Sequence, residues 1–240
     1  MSFRWSFSQW ETYSQCPAKW KYKSVLKLPG QPPGPAAARG LSMHDRCENY
    51  IMGQVDLDYL LVGDPTKRFG SKGEAKIDPK YVPILDQFKD HENGDRWVEH
   101  RLGFDNEWYL SGGISRTAWC IGVLDAVRYA NDGILHIGEW KSGQPKDTHG
   151  DQRKLYALFG LRKWGIGPLQ EVRVTTYYLE GTADPQRLVV KPTAEEKLKE
   201  LWRGRVEQMQ NDKICAPRPN EGCRWCDYAK SKGGPCAFGG

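Results

Sequence analysis

The sequence has no run of apolar residues approaching the ~20 that a helix needs to cross a bilayer. Its first ten residues, Met1 to Trp10, lack the continuous apolar stretch of a secretory signal, so the expectation is a soluble intracellular protein of the cytoplasm. There is no internal repeat and no long low-complexity tail. A G-x-x-x-x-G-K-[ST] phosphate loop is also missing, which excludes a recognisable ATP motor within the chain. Cysteine is present seven times. An odd number in a chain read as cytosolic argues against a complete disulfide framework and leaves metal ligation or simple burial.

The remaining composition is that of a globular protein. Of 240 residues, 39% are hydrophobic, 12% aromatic and 27% charged, with a mean hydropathy of −0.69. A chain of this length buries roughly 70 to 75% of its unfolded surface, so no cross-links are needed for a core. The 35 basic and 30 acidic residues leave a net charge of +5, which permits a polyanionic partner without requiring one. Two basic clusters stand out: Lys19, Lys21, Lys23 and Lys27 among Trp20 and Tyr22, and Arg153, Lys154, Arg162 and Lys163 in a later amphipathic segment. Each is equally readable as a solvated helix face.

Periodicity and punctuation give the element order. Ser8-Gln-Trp-Glu11 has the spacing of a capping box and predicts a helix start, which Pro17 interrupts. Leu28 to Pro35 reads as an extended connection. A helix is predicted from Arg39 to Met52, with His44, Glu48 and Ile51 along one face, and another over 79–92, with Val82, Leu85 and Phe88 as its stripe. Arg96 to Leu102 alternates as a strand. Ile114 to Lys141 reads as two strands around Asn131-Asp-Gly. A helix over 150–164, strands over 171–180 and 186–191, and a helix over 195–210 opened by a Thr193-x-x-Glu196 box complete the chain. The order αααβββαββα implies an α/β protein with a mixed central β-sheet flanked by helices.

Period-two alternation puts Glu139 and Lys141 on one face of the second hairpin strand, and pairing lets Asp125 face them from the first. Two hard carboxylates suit Mg²⁺ or Mn²⁺, and a neighbouring ammonium can orient an attacking water or offset charge on a pentavalent phosphorus. The chemistry indicated is metal-assisted phosphodiester hydrolysis. D-x13-E-x-K by itself is a common spacing.

In its setting, Gly122-Val-Leu-Asp125, a hairpin and Ile137-Gly-Glu-Trp-Lys141-Ser-Gly resemble the core of the PD-(D/E)XK nuclease superfamily, with Leu124 in place of the name-giving proline. Three further stretches resemble its RecB-like exonuclease branch: the opening around Ser8, Tyr13, Cys16 and Pro17, the helix segment Gly40-Leu-Ser-Met-His44, and Gln152-x-x-x-Tyr156. The resemblance implies a restriction-endonuclease-like core over residues 1–240. It assigns His44, Asp125, Glu139 and the Trp140 backbone carbonyl to a Mg²⁺ or Mn²⁺ site, and Asp125, Glu139, Lys141, Gln152 and Tyr156 to catalysis. His44 alone is as readable as a structural histidine, Glu48 as a helix partner, and Gln152 with Tyr156 as an amphipathic seam whose hydroxyl sits at the rim. Glu99 is a further acidic candidate near the metals.

Cys223-Arg-Trp-Cys226, with Cys236 ten positions on and Cys16 at the far end, resembles the iron–sulfur subgroup, which includes AddB-type and CRISPR adaptation nucleases. That likeness implies a [4Fe–4S] cluster on Cys16, Cys223, Cys226 and Cys236, clasping an N-terminal helix (about 1–28) to a Cys-rich segment (about 213–240). Zinc, no metal, or Cys215 as a ligand remain alternatives, whereas Cys47 and Cys120 read as core. The implied partner is DNA, at ends or single strands, contacted by Lys21, Lys23, Arg153 and Lys154. A recombination partner protein and oligomerisation are compatible with this, and no membrane is involved. The activity implied is a metal-dependent DNA exonuclease of phage or bacterial recombination or end processing. Its rivals are a CRISPR adaptation nuclease that trims spacer precursors and a non-hydrolytic DNA-binding module.

Overall fold

Alternating apolar residues on either side of Asn131-Asp132-Gly133 form an antiparallel hairpin, β3 (Cys120–Ala130) and β4 (Ile134–Lys141). Gly133 takes a φ of 80°, which costs glycine least, and the Asp132 carboxylate accepts the Ile134 N–H at 3.0 Å. These strands belong to a computed structural model that describes residues 3–32, 34–64, 74–89, 94–112, 115 and 117–238. The chain separates into a central unit, Pro33–Lys199, and a terminal unit made of Met1–Pro32 and Glu200–Gly240.

In the central unit β2 (Gly94–Phe104) pairs antiparallel with β3, and β5 (Glu171–Tyr178) pairs parallel with β4. Antiparallel β6 (Gln186–Val190) lies beyond β5. The parallel step needs a crossover, supplied by α6 (Thr148–Trp164). α6 lies close on the sheet: a Cβ on Gly160 would come within 2.8 Å of Leu135 and 3.0 Å of Val172. A side chain there would force the helix away from the strands that carry the site.

The other apolar cluster joins α3 (Pro35–Ile51), α4 (Leu57–Val62) and α5 (Val82–Gln87) to the strands. Met43, Cys47, Ile51 and Leu85 are buried there with Trp140 and Tyr177. Arg46 is buried too, and its guanidinium donates to the Ala75 carbonyl and lies 3.9 Å from Glu74. A charge buried at this depth is retained only when paired, so Arg46 ties α3 to the segment after α4.

The terminal unit contains β1 (Trp5–Ser6), α1 (Phe7–Gln15), α2 (Pro17–Trp20), a π-helical turn over Lys21–Val25 and the end of α7 (Glu195–Asn211). Its core is aromatic. Trp202 lies 5.6 Å from Trp5 and 5.0 Å from Trp10, and the Arg205 guanidinium sits about 5 Å over two of these rings. The two chain ends touch. Tyr13 donates to Asp212 at 3.0 Å, Tyr228 donates to the Leu28 carbonyl at 3.2 Å, and the Arg218 N–H lies 3.4 Å from the Cys16 sulfur.

Several sequence expectations are corrected. α1 starts at Phe7 behind Ser6, whose side chain makes no cap; Ser8 and Glu11 sit inside the helix, so the predicted capping box does not form. Pro17 does break the helix, at Cys16. Pro35 starts α3 four residues before the predicted Arg39, because proline is favoured at a first helical position. α4 was not predicted at all. The helix expected over 79–92 is a 3₁₀ turn at Pro79–Tyr81 followed by α5, ending at Gln87. Its residues 90–92 lie outside the described residues, as do Pro33 and Ile114. Thr193 lies in a 3₁₀ turn, Pro192–Ala194, which precedes α7.

Candidate active site

The ladder between β3 and β4 runs through Ala126↔Gly138, and Asp125 is the next residue along. There the Trp140 N–H turns to the Asp125 carboxylate, donating to Oδ2 at 2.7 Å. On the other side, β2 pairs with β3 at Val98↔Ala126 and His100↔Leu124, while Glu99 between them adopts a φ of 46°. A left-handed glutamate in mid-strand is unfavourable and marks a position held by its surroundings. Both neighbours of Asp125 thus depart from regular pairing at one level.

His44, from α3, completes the group. Its Nδ1 lies 3.5 Å from Asp125 Oδ2. Ligand atoms of His44, Glu99 and Asp125 all fall within 4.8 Å of one another, a combination found nowhere else among the described residues. One imidazole and two carboxylates on such a scale fit a divalent cation that accepts oxygen and nitrogen. Glu48, one helical turn after His44, lies outside this group.

Glu139 is buried beside it. Its Oε1 accepts from Lys141 Nζ at 2.6 Å and from Gln152 Nε2 at 2.8 Å. Its Oε2 is buried without a hydrogen-bond partner among the described residues. An orphaned buried carboxylate oxygen beside a three-ligand group is a place for a cation. Gln152 Nε2 also donates to the Tyr156 hydroxyl at 3.0 Å. Both side chains are buried, not at a rim as the amphipathic pattern allowed; Gln152 reaches Glu139 and Tyr156 accepts from Gln152.

Burial, and then the Asp125 charge, raise the Glu139 pKa to about 7 against the opposing pull of Lys141. Burial pushes His44 down, but Asp125 and Glu139 outweigh it and lift the imidazole to about 9. Glu99 is raised by burial and by the charges of Asp125 and Glu48. Without a cation the site therefore retains protons, which a cation must displace. Mn²⁺ affinity, measured calorimetrically in two buffers, should rise from pH 6 to pH 8 with proton release, by up to about tenfold per unit for each proton lost. His44→Ala or Glu99→Gln should weaken binding roughly 10- to 100-fold. Affinity independent of pH and of both residues would remove them from the ligand set.

In the terminal unit, Cys16, Cys223, Cys226 and Cys236 line a single cavity of about 60 Å³. Cys215 is buried elsewhere, with its N–H and sulfur turned to Asp212. No disulfide links any of these cysteines. No three of the four sulfurs are mutually within 4.8 Å. Cys47 and Cys120 are fully buried.

Of the predicted DNA-contacting residues, Arg153 donates to Thr176 at 3.1 Å and Lys154 pairs with Asp151 at 3.0 Å, both on α6. Lys21 and Lys23 belong to the terminal unit. The Trp140 N–H was missed as a support of the site, and Arg46 as a buried tie of α3. A backbone donor has no sequence signature, and a buried arginine reads as one more surface charge.

Two carboxylates and a lysine delivered by one hairpin, under a helix that orients the second carboxylate, form the working geometry of a hydrolytic nuclease. A family model described as the PD-(D/E)XK nuclease superfamily matches residues 4–231, and the chain belongs to that superfamily. Among solved structures, a protein of Eubacterium rectale named "Putative exonuclease" is similar, with 14% identity and a TM-score of 0.46. That match covers 93% of this chain and 86% of the other. A protein named SSO0001 is similar at 14% identity and a TM-score of 0.41, over 95% of this chain and 84% of its own. Comparison with curated proteins finds no match.

Proposed function

We propose that the protein is a divalent-metal-dependent DNA exonuclease acting at DNA ends or on single strands, in phage or bacterial recombination or end processing. The observation that carries this reading is the pairing of buried Glu139 with Lys141 at 2.6 Å beside the His44–Glu99–Asp125 group. A divalent cation, when bound, would polarise the phosphoryl group and acidify the attacking water. His44, Asp125, Glu139 and the Trp140 carbonyl would hold it, with Glu99 as an added carboxylate. Lys141 orients the water through its contact with Glu139 and offsets negative charge on the phosphoryl oxygens as the water oxygen bonds to phosphorus and gives up a proton to solvent, while the P–O ester bond breaks and the leaving oxygen takes a proton from solvent. Gln152 holds Glu139 in its rotamer and Tyr156 positions Gln152.

Labelled linear single- and double-stranded DNA and a closed circle, incubated with Mg²⁺, Mn²⁺, Ca²⁺ or chelator, test the proposal. Expected are degradation of linear substrates with Mg²⁺ or Mn²⁺, binding with little turnover in Ca²⁺, and an intact circle. Binding without cleavage under every condition would support a non-hydrolytic module instead, and cutting of the circle at the linear rate would replace exonuclease by endonuclease.

The positions of Gln152 and Tyr156 predict a separable kinetic effect. Gln152→Ala and Tyr156→Ala should lower kcat by roughly tenfold to a hundredfold with KM little changed, since Gln152 donates to Glu139 and Tyr156 positions Gln152. A rise in KM alone would move them to substrate placement.

The second component of the proposal is a [4Fe–4S] cluster on Cys16, Cys223, Cys226 and Cys236, clasping residues 1–28 to residues 213–240. What supports it is the common cavity that the four cysteines line.

A further inference from the structure

The terminal unit contains a second, larger cavity of about 360 Å³ that shares no residue with the catalytic group or the cysteine site. It is lined by Ser6, Ser8, Gln9, Thr12, Lys23, Ser24 and Lys27; the Ser6 and Ser8 hydroxyls lie 3.1 Å apart and the Thr12 hydroxyl donates to the Ser8 carbonyl at 2.8 Å. Every lining side chain is polar; none is apolar, aromatic or acidic. Neither lysine has a carboxylate within 4 Å among the described residues.

Two helical segments build it. Ser8 and Thr12, four apart, share a face of α1. Lys23 and Lys27 are likewise four apart, at and just beyond a π-helical turn whose widened pitch is marked by the bond from Leu26 N to Lys21 O at 2.9 Å. Lys27 ends that turn with a φ of 52°, a conformation that glycine adopts without strain and lysine does not. Both lysines are exposed and have no carboxylate partner, so their ammonium groups are available to an anionic ligand at this cavity.

The lining also selects the ligand class. A small organic molecule is held by apolar and aromatic walls with a few polar groups, and a nucleobase by a stacking ring. Neither is available. Two ammonium groups with hydroxyl and amide donors suit a hydrated anion rich in acceptor oxygens. We propose that the cavity holds the sugar–phosphate backbone of a DNA strand through residues of the terminal unit alone, gripping it without regard to base sequence. The assignment of the ligand as DNA rests on the nuclease reading above.

The test uses full-length Glu139→Gln protein, which retains the strand, and a labelled single-stranded oligonucleotide followed by fluorescence anisotropy in Ca²⁺. Adding Lys23→Gln and Lys27→Gln together should raise Kd about tenfold and lower the slope of log K against log salt by about 1.4, or about 0.7 per contact. Ser8→Val with Ser24→Val should raise Kd about threefold without changing that slope, since it removes donors and no charge. Oligonucleotides of scrambled sequence should behave alike. Circular dichroism confirms that each variant is folded, and a misfolded pair is replaced by its single-site members. Unchanged Kd in the lysine variant overturns the proposal while leaving the nuclease reading intact, provided that the protein with Glu139 in place degrades DNA. An effect of the lysines without one of the hydroxyls also overturns it, in favour of diffuse surface charge. Displacement of the strand by millimolar inorganic phosphate at constant ionic strength, lost in the lysine variant, would reassign the cavity to a free anion.

Discussion

Asp125→Asn and Glu139→Gln should each lower DNA cleavage by about a thousandfold or more, equivalent to ~4 kcal/mol of transition-state stabilisation, while binding in Ca²⁺ stays close to the parent. Each substitution removes a charge but almost no volume. Asparagine still accepts from Trp140, and glutamine still accepts from Lys141 and Gln152 through Oε1. A second consequence separates this from a damaged fold. The Glu139 pKa lies near 7 in the folded protein against 4.5 in an ordinary glutamate, so burial penalises its charged form. The destabilisation is absent below about pH 4.5 and complete above pH 7. Without metal, Glu139→Gln should therefore melt at a higher temperature than the parent at pH 8, and the gain should disappear toward pH 4.5. Lys141→Ala should lose roughly 10²- to 10⁴-fold in rate. Near-parental digestion by both carboxylate variants with Mg²⁺ would refute the assignment of the site.

Cys16→Ser and Cys226→Ser should each abolish the brown colour, the iron and the inorganic sulfide expected of protein purified without oxygen. A large fall in melting temperature should accompany the loss. The four cysteines line one cavity and derive from segments over two hundred residues apart, so a shared ligand set closes the longest loop in the chain. Loop-closure entropy grows only logarithmically with length, and the stabilisation resides mainly in the ligand bonds themselves. Cys47→Ser and Cys120→Ser should leave colour unchanged, because those thiols are packing atoms. Cys215→Ser discriminates further: its sulfur faces Asp212 and lies outside the cavity lining, so colour should persist. Colourless, fully active parental protein from iron-replete anaerobic cells, with no zinc by elemental analysis, would reduce the four to packing residues and leave Asp125, Glu139 and Lys141 untouched.

Hairpin, crossover helix and mixed sheet were legible in the residues because each has a local cause. Period-two alternation shows the faces of β3 and β4, Asn-Asp-Gly closes their turn, and Glu139 and Lys141 must share a face whatever surrounds them. The D-x13-E-x-K spacing then brings Asp125 opposite them once the strands pair. Cys-x-x-Cys is visible for the same reason. Short elements were less legible: α4 has six residues and owes its existence to Leu60 being buried, which no periodicity over one turn and a half reveals.

What the sequence determined by itself was the list of chemical groups and the order along the chain of the elements that carry them, since side-chain period and turn chemistry are properties of a few neighbouring residues. Tertiary structure alone decided how those groups meet. Glu99 faces the cation group only because its backbone is held at a φ of 46° opposite Asp125, and the protons on His44 and Glu139 depend on burial beside Asp125. Gln152 reaches Glu139, with Tyr156 behind it, because α6 lies against the sheet over Gly160. Electrostatics and close packing act through space between residues distant in the chain, so spacing along the chain does not report them.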